Sequence, residues 1–165
     1  MKIDDLQLLF DYHYWALDHL LNHLRELPAA QLTTNSPHFY HKTAQQTVLH
    51  ILDVDWSWRL RCQGKPGGQY LWEVEDLPDL PAMQSFLHQE QETTNHYLAS
   101  LSEADLTAKV QYAEGKEGVA RWQILSHIVN HGTEHRTEIG HFLTEYGKSP
   151  GELGLFRYLV AVRNA

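Results

Sequence analysis

The chain has 165 residues, one cysteine and a formal net charge of −8, which bounds it to a single domain and excludes an internal disulfide framework. Hydrophobic residues make up 42% of it, enough for a sizeable core and too many for a disordered chain. With 21 Asp and Glu against 13 Lys and Arg, a broad phosphate-binding surface is excluded, and with it nucleic acid as the expected partner.

Leu6, Leu9, Phe10, Leu17, Leu20, Leu24 and Leu27 recur at three- and four-residue steps. They predict an amphipathic helix from about Asp4 to Leu27, stopped by Pro28. Residues 31–43 read as a loop, with Asn35, Ser36 and Pro37 as turn chemistry. A second helix is expected from Thr43, an N-cap whose capping box Gln46 completes, to Gln63. Its apolar residues (Val48, Leu49, Ile51, Leu52, Val54, Trp56, Trp58, Leu60) lie on several sides, so it is largely buried. Gly64, Pro66, Gly67 and Gly68 end it.

A third helix is expected from Asp79 to Leu101, with Leu80, Met83, Leu87, Tyr97, Leu98 and Leu101 inward. Residues 102–118 form an excursion, with a short hairpin around Val110–Tyr112 and Gly115–Gly118. A fourth helix runs from Val119 to Tyr146 and stops at Gly147. After the turn Ser149-Pro150-Gly151, the apolar segment from Leu153 to Val162 docks back as a short helix. The expected fold is all-α: a four-helix bundle over residues 1–165, with the excursion before its last long helix and a short C-terminal helix. No apolar run approaches a membrane span, and the opening MKIDDLQLLFDYHYW lacks the basic-then-apolar layout of a secretory leader. A cytoplasmic location is therefore the expectation.

Twelve histidines stand out in this acidic chain. On the fourth helix His127, His131 and His135 are spaced by four, so neighbours share a face and can bind one ion. The apolar stripe through Ile124, Ile128, Ile139, Phe142 and Leu143 places His135 near its centre and His131 near its edge. His127 lies farther round and His141 well outside. His19 and His23 share the spacing but lie off their helix's stripe, so they read as solvated. A third ligand is needed, and His50 in the buried second helix is the best candidate. Three neutral imidazoles with open positions are the pattern of a catalytic metal site. Zn, Ni and Fe all tolerate imidazole, and ligand type does not choose among them.

These residues resemble the DinB/YfiT-like superfamily of metal-binding four-helix bundles. The carriers are Tyr12-His13-Tyr14-Trp15-Ala16, the stretch LHILDVDWSW, and above all NHGTEHRTEIGHFLTEYG. The resemblance implies a metal held by one histidine of the second helix and two of the fourth. In this sequence these are His50, His131 and His135. It also implies that His127 is a recurrent but non-ligating position. The family often has Asn where this chain has His13, which points inward. His13 is then a fourth ligand, a proton shuttle, a hydrogen bond to substrate or a substituted core residue.

Glu90 sits in a polar gap of the third helix's inner face, as a general base, a partner to a metal ligand or a rim carboxylate. Glu138-Ile-Gly-His141 matches the step of di-iron bundles, but the second motif that fold needs is missing from the sequence. Cys62 reads as a packed thiol. The resemblance implies an S-transferase that uses a low-molecular-weight thiol, bound to the metal as thiolate. Glu90 or His13 would move the proton. The same centre could activate water instead, which makes the protein a hydrolase acting on a small molecule. From another class comes a non-catalytic, metal-binding stress-response protein. Exposed tryptophans and the family's habit both point to a homodimer.

Overall fold

The computed structural model describes residues 1–65, 68–112 and 117–163. Four long helices dominate: α1 (Ile3–Leu24), α3 (Ala44–Cys62), α4 (Leu80–Ala99) and α6 (Arg121–Glu145). Shorter pieces are α2 (Ala29–Leu32), α5 (Glu103–Thr107), α7 (Leu155–Ala161) and a 3₁₀ turn at Leu71–Glu73. Strands β1 (Lys109–Val110) and β2 (Val119–Ala120) pair antiparallel, Lys109 opposite Ala120. α1 packs on α4 and α6, and α3 packs on the same two, so α1 and α3 face each other across the bundle.

The local chemistry explains the boundaries. Asp4 and Asp5 lie in the first turn of α1, where the helix dipole favours anions, and the Asp5 carboxylate accepts from the Lys2 amide at 2.8 Å. Leu6, Phe10, Leu17, Leu20, Leu21 and Leu24 are fully buried from that helix. α1 stops at Leu24 rather than Leu27, because Arg25–Leu27 form a turn in which the Leu27 amide donates to the Leu24 carbonyl. Thr43 caps α3 by accepting from the Gln46 amide at 3.1 Å. The expected box is half made, since the Thr43 amide bonds the His41 carbonyl instead of the Gln46 side chain. Asp79 caps α4 through the Ala82 amide at 2.9 Å.

The fourth long helix begins at Arg121, not Val119, because Val119 and Ala120 are taken by the β ladder. Gly118 permits the close pairing: a Cβ there would lie 3.1 Å from the Lys109 Cβ. Of the expected turn residues, Pro66, Gly67 and Gly115 lie outside the described residues. α6 ends as expected at Gly147, at φ +70°, where the Lys148 amide returns to the Leu143 carbonyl at 2.9 Å. α7 lays Tyr158 against Tyr12 and Trp15 of α1. No helix among the described residues is long and apolar enough to cross a membrane.

Candidate metal centre

α3 and α6 are packed neighbours, and three histidines meet on their shared face. The His50 and His131 Nε2 atoms lie 3.0 Å apart. The His135 ring centroid is 5.0 Å from that of His50 and 4.5 Å from that of His131. His41, from the loop before α3, joins them. Its ring lies flat on His50 with centroids 3.8 Å apart, and edge-on to His135 at 5.3 Å. One donor atom from each of His41, His50 and His135 falls within 4.8 Å of the others, a three-histidine group able to hold a metal ion.

The chemistry of the donor set fits such an ion. Two bonds of roughly 2.0–2.1 Å to one ion at near-tetrahedral angles separate their nitrogens by about 3.3 Å. The 3.0 Å between His50 and His131 is close to that value. Burial is the first cause holding these imidazoles neutral, and neighbouring histidines add to it. His50 is pushed down to about 4, with help from His41 and His135. His131 is pushed down to about 3, with help first from His135 and His50. Burial lowers His41 as well. Neutral imidazoles present lone pairs, which is what a cation requires. The Glu138 carboxylate accepts from His135 Nδ1 at 3.0 Å, which fixes that tautomer and turns Nε2 toward the group. His131 Nδ1 is buried without a partner among the described residues.

The cluster has an open side. A cleft of about 570 Å³ is walled by Tyr40, His41, Lys42, His50, Asp53 and Trp72 among others. Asp53 accepts from the Leu71 amide at 2.6 Å and ties the 3₁₀ turn to α3. Tyr70 and Trp72 stack at 4.5 Å on the rim and are half exposed. Another cleft, of about 480 Å³ and lined by Tyr12, Arg136, His141 and Pro150, contains none of the four histidines.

His13 and Glu90 have other commitments. His13 is fully buried and bonds Asp55 Oδ2 through Nε2 at 2.8 Å. Arg136 Nη1 donates to its other nitrogen, Nδ1. Glu90 is buried and paired with Arg59, which donates from both Nε and Nη2, the latter at 2.6 Å. Burial raises the Glu90 carboxyl, and Arg59 opposes that rise. The rim-carboxylate alternative is thereby removed. His127 is exposed beside Trp58. His19 and His23 stay out of the cluster, but they are half-buried rather than solvated: His19 Nε2 bonds the Pro150 carbonyl at 3.0 Å. Sequence reasoning missed His41, Asp55 and Arg136. The available signals were the nearness of His41 to the cap of α3 and the placement of two charged residues on buried helix faces.

Comparison with known proteins adds the following. The sequence profile of the DinB family matches residues 2–162. Protein DinB of Bacillus subtilis (strain 168) is 25% identical over 173 residues, covering 95% of this chain and 96% of that protein.

Proposed function

The chain belongs to the DinB family, and on that premise we propose that it is a metal-dependent enzyme acting on a small molecule. The observation that carries this reading is the convergence of imidazoles from α3, α6 and the loop before α3, of which His41 and His50 line a cleft. His50, His131 and His135 would hold a divalent transition metal (Zn, Ni or Fe). When bound, such an ion lowers the pKa of a coordinated thiol or water and acts as a Lewis acid.

The chain's own residues do the rest. Glu138 orients His135. The cleft admits a low-molecular-weight thiol and its electrophile from the side of Tyr40 and Trp72. Cys62 is 2% exposed, and burial pushes its thiol up to about 12. It is therefore a poor nucleophile, and the reacting thiol would come from a cosubstrate. With water in its place the same arrangement is a hydrolase.

The deciding experiment is an electrophile-conjugation assay with a panel of small thiols, run with metal-loaded and chelator-treated protein. Thiol-dependent turnover lost on chelation supports the transferase. Metal-dependent consumption of electrophile without thiol supports the hydrolase. Neither activity would move the protein to the other class, a non-catalytic metal-binding protein of the stress response. The presence of a fourth histidine at the cluster is the observation favouring that class, because a closed site is the pattern of structural metal.

A further inference from the structure

We propose that His41 is a fourth ligand of the metal centre, carried on the loop before α3 rather than on a helix. The inference rests on the metal reading above and extends it to a residue outside the helical trio.

Three observations carry it. The first is position: a His41 ring nitrogen lies within 4.8 Å of donor atoms of both His50 and His135. The second is support. Phe39 is 5% exposed and packs on Phe142 of α6 at 5.0 Å, anchoring the loop from below. Lys42 takes φ +70°, a left-handed conformation that a lysine adopts only where its surroundings hold it. Its carbonyl accepts from the Ser36 amide at 2.8 Å, and its own amide donates to the Phe39 carbonyl. The Thr43 amide donates to the His41 carbonyl at 2.9 Å while its side chain caps α3. His41 is therefore clamped at both flanks, on the helix that bears His50. The third is chemistry: no hydrogen bond to another described residue holds the His41 ring nitrogens, and the ring is half-buried against two other imidazoles.

A loop ligand differs from helix ligands in what its loss does. His50, His131 and His135 stay gathered by the α3–α6 packing without it. Removing His41 would therefore open one coordination position at a centre that otherwise stays assembled.

The test uses Co(II) as probe in the full chain, comparing wild type with His41→Ala. A second variant, His38→Ala, removes a histidine of the same loop that bonds Glu145 instead. Competition with a chromophoric chelator gives affinity, and the visible spectrum of Co(II) reports its coordination. The expected result is one Co(II) per chain in all three proteins, with affinity at least about tenfold weaker in His41→Ala alone. Its Co(II) spectrum should also change, and added imidazole should restore it. Melting by circular dichroism should be unchanged, since His41 lies on a loop. Equal affinity and spectrum for wild type and His41→Ala would overturn the His41 assignment and leave the helical trio standing. Failure of wild type to bind Co(II) would overturn both.

Discussion

His13 of α1 reaches across the bundle to Asp55 of α3, Nε2 to Oδ2 at 2.8 Å, with both side chains fully buried. Arginine can only donate, so its bond to Nδ1 fixes the His13 tautomer: Nδ1 accepts from Arg136, and Nε2–H donates to Asp55. The other Asp55 oxygen has no partner among the described residues. Replacing His13 by Ala therefore strips the buried Asp55 carboxylate of the donor it has among the described residues and opens a cavity. A loss of about 3 kcal/mol is expected from urea denaturation. His13→Asn keeps one acceptor and one donor and should lose less. Equal losses for the two variants would contradict this account of the bond.

Gly132 lies against the same pair. A Cβ there would come within 2.2 Å of His13 Cε1 and 2.8 Å of Arg136 Nη1. His13 is enclosed and cannot swing away. Gly132→Ala should destabilise by roughly 2 kcal/mol through overpacking. That outweighs the ~1 kcal/mol an alanine normally contributes inside a helix. A rise in melting temperature would refute the close packing.

The pH dependence of the metal-free protein follows from His50 and His131, whose folded values of about 4 and about 3 lie below the ordinary 6.5. A histidine held neutral on folding binds its proton more tightly when unfolded. Its contribution is thus fully present above pH 6.5 and is lost as pH falls from there toward 4. The buried carboxyls of Asp53 and Glu90 are shifted upward by burial and act with the opposite sign in the window just above the ordinary carboxylate range, opposing part of the histidine effect. Urea midpoints of chelator-treated protein should fall between pH 6.5 and 5. A midpoint that is flat over that interval in wild type would contradict the burial of these imidazoles.

Cys62 is 2% exposed, and burial pushes its thiol up to about 12. Alkylation by iodoacetamide at pH 8 should be slow in the native protein and prompt in urea. Cys62→Ala should retain metal binding. Rapid native alkylation would reopen a nucleophilic role for this residue.

The bundle was legible because its apolar spacing is long and regular. Leu6 through Leu24, the caps Thr43 and Asp79, and the stop at Gly147 each carry local chemistry visible in sequence. The two-residue strands were less so, since Val119 and Ala120 continue a helical pattern and only pairing with Lys109 and Val110 removes them from it. At the site, helix-face arithmetic set His50, His131 and His135 on facing surfaces of α3 and α6, and the packing of those two helices brings their rings within 5.0 Å of one another. His41 has no periodicity to read. Its place depends on Phe39 entering the core and on the backbone turn at Lys42. The partners of His13 and Glu90 were hidden for a related reason. Asp55 and Arg59 lie on a helix buried on several sides, where sequence does not say which neighbour each charge meets.

The most direct test of the metal centre is elemental analysis of the purified chain after equilibrium dialysis against Zn, Ni and Fe in turn. The account predicts one ion per chain in wild type for at least one metal, and its loss in His50→Ala, His131→Ala and His135→Ala, each still folded by circular dichroism. Unchanged metal content in any of these three variants would contradict the ligand assignment, and no bound ion in wild type would contradict the metal centre itself.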